Sequence, residues 1–154
     1  MPLKILLAER NQRIIIYYNL QLMDQSPVIL FDGICNLCNG AVQFVIRHDS
    51  KAIFKFSALQ SDKGQMLLKR YDLPAAVLNS FVLIQNNKAH TRSDAALLVA
   101  KQLDGPIKFL YGLIIVPSFL RNSVYNFIAK NRYKWFGKQE SCMMPDQSLQ
   151  KRFI

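Results

Sequence analysis

Acidic residues are scarce in this sequence. Twenty Lys and Arg face ten Asp and Glu, a formal net charge of +10. The imbalance is uneven. Residues 1–100 carry 11 basic and 7 acidic side chains, a net of +4, and residues 101–154 carry 9 and 3, a net of +6. Such an excess favours anionic partners, whether an acidic protein, lipid headgroups or nucleic acid. Cysteine is sparse as well. Three in 154 residues are too few for a disulfide-stapled scaffold. No run is long enough to span a membrane, since the most apolar stretch, FLYGLIIVPSFL at 109–120, falls well short of the ~20 residues required. It contains Pro117, Arg121 follows it, and it reads as a core helix, with a position on a membrane surface as the alternative. The N-terminus does not read as a secretory leader either: Glu9, Arg10 and Arg13 interrupt the place of an apolar stretch, and no clear small-residue cleavage site follows. The expected location is therefore cytoplasmic, peripheral to a membrane at most, with reduced thiols. Internal repeats and low-complexity tracts are absent.

What is present is an ordinary globular composition. Half of the residues (51%) are hydrophobic and 19% are charged, which excludes wholesale disorder. The length suits one domain. An N-terminal extension, residues 1–26, precedes a single domain over 27–154. Met23 stands just before the first regular element, so one expectation is that translation starts there and that residues 1–22 lie outside the protein.

From Pro27 onward the pattern is regular. Val28-Ile29-Leu30-Phe31 is a short apolar run that reads as a buried strand. Cys38, Ala41, Val42 and Val45 recur at helical spacing and predict a helix from about 35 to His48. Phe54-Lys55-Phe56-Ser57 alternates as a second strand. Residues 60–71 suit a helix that closes before Pro74. Phe81-Val82-Leu83-Ile84 is a third strand, Asn86-Asn87 a turn, and 89–91 a returning strand of a hairpin. Thr91 and Asp94 have the spacing of a capping box before a helix through Leu103. Two further helices are predicted near 107–116 and 119–131. The order β-α-β-α-β-β-α opens on a parallel pair and adds a hairpin, so the predicted fold is α/β: a thioredoxin-like mixed sheet flanked by helices, with additional C-terminal helices.

The chemistry points to Asp32-Gly33-Ile34-Cys35-Asn36-Leu37-Cys38. Two cysteines flank a two-residue spacer where a strand passes into a helix. A helix start offers unpaired N–H groups and a partial positive charge, which favour a thiolate at Cys35, and the thiolate is the nucleophile. Cys38 lies one turn further in, on the apolar face. It is expected to be the more buried, less ionised, resolving thiol. Asp32 is either a carboxylate that helps move a proton to or from Cys38 or a turn and capping residue. Gly33 and Gly40 read as backbone geometry and close packing.

Other readings compete. Cys35 and Cys38 could be structural core residues. A zinc site needs four ligands, and only Cys142, His48 and His90 remain to supply two. Asn131–Lys138 interleaves aromatic and basic residues, which a single-stranded nucleic acid could use, but without a recognised nucleic-acid module it reads as the core-packing end of the last helix with a basic outer side. Arg92, Ser93 and Asp94 are either helix caps or, for Arg92, a cation near the dithiol.

The segment LFDGICNLCNGAVQFVIRHD resembles the DCC family of thiol-disulfide oxidoreductases, named for its Asp-Cys-Cys pattern. The resemblance continues through Phe56–Ser61, Thr91–Ala96, Asn131–Gly137, Cys142 and the closing Arg152-Phe153-Ile154, about residues 28–154 in all. It implies a thioredoxin-like fold and a redox dithiol. Cys35, Cys38 and Asp32 are then the catalytic candidates, and Cys142, Arg92 and Asp94 auxiliary ones. No metal or organic cofactor is implied, because the cysteines carry the electrons. The implied partners are a disulfide-containing protein or small-thiol substrate and a reductant, with an acidic or membrane-surface partner suggested by the charge and nucleic acid disfavoured. One departure stands out. Thioredoxins place a cis-proline before the strand facing the dithiol, and Leu78-Asn79-Ser80-Phe81 has none. The rival functions are a non-catalytic basic binding module with structural cysteines and a metal carrier using Cys35, Cys38 and Cys142.

Overall fold

The computed structural model describes residues 26–74, 80–141 and 145–154. Residues 1–25 of the N-terminal extension, Cys142 and Leu78-Asn79 lie outside these. Four strands, β1 (Val28–Phe31), β2 (Lys55–Ala58), β3 (Val82–Gln85) and β4 (Lys88–Thr91), form one sheet in the order β2-β1-β3-β4. β1 runs parallel to β2 and antiparallel to β3, and β3 and β4 form a hairpin. Four α-helices complete the order: α1 (Asn36–His48), α2 (Asp62–Arg70), α3 (Arg92–Gln102) and α4 (Ser118–Phe136). A 3₁₀ helix at Pro106–Ile115 and a 3₁₀ turn at Gln150–Arg152 follow α3 and α4 respectively. This is an α/β fold with the thioredoxin-like arrangement.

The strands read as predicted because the sheet is covered on both faces, which selects continuous apolar runs. All four residues of β1 are buried. Ile29, Phe31, Phe56 and Leu83 point to one side, where Val42 and Val45 of α1 and Ala95, Val99 and Leu103 meet them. Val28, Leu30, Val82 and Ile84 point to the other, against Leu68 of α2. Asn86 and Asn87 both take positive φ, 52° and 58°, the geometry of a tight two-residue hairpin loop. At the outer edge of β2, Phe153 bridges Phe56 and the Ile154 N–H donates to the Phe56 carbonyl at 2.9 Å. Arg152 pairs with the buried Asp49 nearby.

Several expectations are corrected. The 107–116 stretch is a 3₁₀ helix with no buried residue, not an α-helix of the core. In FLYGLIIVPSFL, Phe109 is 76% and Ile115 87% exposed, so the run lies on the surface. Thr91 does occupy the N-cap of α3, but no side-chain capping bond forms. The Asp94 carboxylate instead pairs with Arg121 of α4 at 2.6 Å. A Cβ at Gly40 would meet nothing within 4 Å, so close packing does not require that glycine.

Candidate active site

Cys35 caps α1. Its backbone is extended (φ −85°, ψ 120°) and its Sγ accepts the Cys38 N–H at 3.4 Å. An N-cap acceptor satisfies one of the donors that a helix start leaves unpaired, and here that acceptor is sulfur. The strand-to-helix junction therefore aims backbone N–H and the positive end of the helix dipole at Cys35.

The burial order of the two thiols reverses the expectation. Cys35 is fully buried and Cys38 is half-buried. The cause is a strap formed by the residues just after α4. Lys138 bridges Cys35 in antiparallel fashion. The Gln139 N–H donates to the Ile34 carbonyl at 2.8 Å, and the Asn36 amide donates to the Phe136 carbonyl at 2.8 Å. The buried Asn39 side chain donates to Gly33 O at 2.9 Å and to Gln139 Oε1 at 3.3 Å. Gly137, at φ +78°, makes the turn out of α4 that lets the strap lie down.

Cys38 opens onto a cavity of about 390 Å³ between α1, α3, the 3₁₀ helix and α4. Leu37, Phe44, Phe81, Val99 and Ile128 are among its apolar walls, and Arg132 is among its lining residues. Burial pushes the Cys38 thiol up to about 12 from an ordinary 9.0, and the hydrogen bond to Cys35 and the charge on Cys35 push the same way. The Arg132 charge opposes them.

Asp32, three residues before Cys35, is 3% exposed and accepts on both oxygens. Oδ1 takes the Gln60 amide at 2.8 Å and the Ile34 N–H at 3.2 Å. Oδ2 takes the Arg132 guanidinium at 2.8 Å and the Tyr133 hydroxyl. Gln60 also accepts the Gly33 N–H at 3.1 Å, fixing the loop. Both partners of the Asp32–Arg132 pair are nearly excluded from water, with side chains 4% exposed. Tyr133 is pushed above its ordinary value by burial and by donating to Asp32.

The sequence-derived candidates are thus only partly brought together. Cys35, Cys38 and Asp32 converge. Arg92 and Asp94 are not among the residues around the dithiol: Asp94 holds Arg121, and Arg92 lines a second cleft with Lys130 and Tyr133, which shares Arg132 with the Cys38 cavity. The cation on the Cys38 cavity is Arg132 instead. The expected core-packing end of the last helix is turned round, with basic Arg132 buried and Trp135 and Phe136 about half exposed. Gln60, Arg132 and Tyr133 are not read from the sequence as part of this site, Arg132 and Tyr133 entering only as members of the aromatic-basic stretch 131–138, although all three fall in segments that carry the family resemblance. His48 sits at the end of α1 with its ring against Phe44. Where a cis-proline would stand, the Phe81 N–H donates to the Tyr125 hydroxyl at 2.8 Å. Among the described residues no three His, Cys, Asp or Glu side chains gather to hold a metal; the carrier reading depends on Cys142, which lies outside them.

A thioredoxin-like sheet with a Cys-x-x-Cys at the start of its first helix defines a class of redox domains. The chain belongs to the DCC1-like thiol-disulfide oxidoreductase family, whose model matches residues 29–138. It is 50% identical over 133 residues to the uncharacterized protein YuxK of Bacillus subtilis (strain 168), covering 85% of this chain and 97% of that protein. It is 42% identical over 120 residues to a chloroplastic DCC family protein of Arabidopsis thaliana, covering 77% of this chain and 70% of that one. No solved structure matches. No helix among the described residues is long and apolar enough to cross a membrane.

Proposed function

We propose that the protein is a thiol-disulfide oxidoreductase in which Cys35 attacks and Cys38 resolves. The observation that carries the reading is the placement of the pair: Cys35 at the N-cap of α1 with its Sγ accepting the Cys38 N–H, and Cys38 one turn on, opening onto the cavity. The Cys35 thiolate attacks one sulfur of a substrate disulfide. That S–S bond breaks, the departing sulfur leaves as a thiolate, and a mixed disulfide forms. Cys35 then has no charge and no free sulfur to accept from Cys38, so two of the influences that hold the Cys38 proton are gone while Arg132 still favours its loss. The Cys38 thiolate attacks Cys35 Sγ, closing the Cys35–Cys38 disulfide and releasing the second substrate thiol. Two electrons pass to the substrate, and a reductant such as a dithiol protein restores the pair.

Access differs from charge in this site. The strap must move for a protein disulfide to reach Cys35, whereas the cavity admits an apolar group as far as Cys38. Asp32 is a positioning residue in this scheme. Its two oxygens are occupied by four donors, which supports a fixed charge that orients Arg132 and Tyr133 over a carrier of protons. Asp94 holds α3 to α4 through Arg121, and Cys142 remains a candidate third thiol.

The test is trapping in cells with Cys38→Ser beside Cys35→Ser. The expected result is a stable mixed disulfide on Cys35 in the first and none in the second. Capture by Cys35→Ser instead would make Cys38 the entry sulfur. A wild-type pair that never forms its disulfide at any redox poise would end the catalytic reading in favour of a binding module.

A further inference from the structure

The 3₁₀ helix and α4 turn an apolar side outward. Phe109, Leu110, Leu113 and Ile115 are exposed on the first, and Phe119, Leu120, Val124, Phe127, Ile128 and Trp135 on the second. Those on α4 recur at helical spacing, and the Phe127 and Trp135 rings touch with centroids 5.6 Å apart. The two surfaces flank the same cavity, which Leu110 and Ile128 both line. Single exposed apolar residues need no explanation, but a contiguous face does.

Charge selects the occupant. From Gly105 to Gln139 the sequence holds no Asp or Glu at all, and Lys108, Lys130, Lys134 and Lys138 are exposed along it. Arg121 and Arg132, the other cations of this stretch, are engaged by Asp94 and Asp32. A second copy would bring two unbalanced lysine sets together, which is repulsive. Residues 1–25 carry three basic and two acidic side chains and offer no compensating charge. We infer that this face docks on an anionic lipid bilayer, with its apolar side chains at the headgroup–acyl boundary and its lysines against the headgroups.

Trp135 is the only tryptophan and lies in the proposed contact, so it reports directly. Full-length protein is mixed with phosphatidylcholine vesicles, with and without phosphatidylglycerol. The inference expects a blue-shifted Trp135 emission and co-sedimentation on the anionic vesicles, reversed by salt. The pair Phe119→Asp and Phe127→Asp should abolish both. The pair Lys130→Glu and Lys134→Glu should weaken binding by about tenfold or more. All four positions are solvent-exposed, and circular dichroism checks that the variants fold. A Cys35→Ser, Cys38→Ser protein should bind normally, so the docking surface is judged apart from the redox reading. Absence of a shift on anionic vesicles, equal binding to neutral ones, or a dimer in solution that Phe127→Asp dissociates would each overturn the inference.

Discussion

The proton on Cys38 is held by burial, then by the hydrogen bond to Cys35 and the charge on Cys35, and least by the charge on Asp32. In Cys35→Ala the two Cys35 contributions disappear, so the Cys38 thiol should titrate below about 12 while burial keeps it above its ordinary 9.0. The sign follows from the reacting species. Alkylation needs the thiolate, so a raised value means slow reaction with iodoacetamide through pH 9 and a rate that continues to climb beyond it. In Cys35→Ala the rate curve should move to lower pH, read by mass spectrometry of the Cys38 peptide. An unmoved curve would mean that Cys35 does not hold the proton. The sequence made the spacing of these sulfurs legible, because the N-cap position and the i, i+3 register are local. Their burial was not legible, because what covers Cys35 comes from residues 137–139. Arg132 was missed for a related reason: one arginine among three cations in eight residues (131–138) carries no mark that it turns inward.

At the scale of elements, the strap is held by a handful of hydrogen bonds and one turn. Gly137 takes φ +78°, and a Cβ there would lie 3.3 Å from the Asn36 amide nitrogen. Gly137→Ala is therefore strained twice, by backbone conformation at about 1 kcal/mol or more and by crowding of the residue beside Cys35. The expected outcome is a looser strap and a faster reaction of Cys35 with a bulky maleimide, with little change at Cys38. Equal rates in wild type and variant would show that the strap does not control access. The strands and α1–α3 were legible because period and punctuation agree with tertiary burial there. The 3₁₀ helix was not. Its composition is that of a core segment, and only packing decides that Ile107 turns inward while Phe109 and Ile115 face out.

For the molecule as a whole, the Asp32–Arg132 pair ties β1 to α4 across 100 residues of sequence. Removing one partner of a buried ion pair leaves the other charge stranded and costs about 3–5 kcal/mol. Arg132→Met should lower stability by about that much, and Asp32→Asn combined with Arg132→Met should recover part of it, as measured by urea unfolding of the reduced protein. Additive losses in the double variant would mean that the two side chains do not act as a pair. The +10 charge, legible at once, acquires a location at this scale. Part of it, the exposed Lys108, Lys130, Lys134 and Lys138, lies on the same stretch as the exposed apolar side chains, a coincidence that composition alone could not show.

The same 100-residue separation governs the order of events during synthesis. Residues 28–60 can pair β1 with β2 and begin α1 while α4 and the strap have yet to leave the ribosome. Contacts so distant in sequence form late. For that interval Asp32 has no counter-ion and Cys35 has no cover. The nascent chain thus exposes Cys35 before the finished protein hides it, and the exposure of that sulfur to oxidants is greatest before folding is complete.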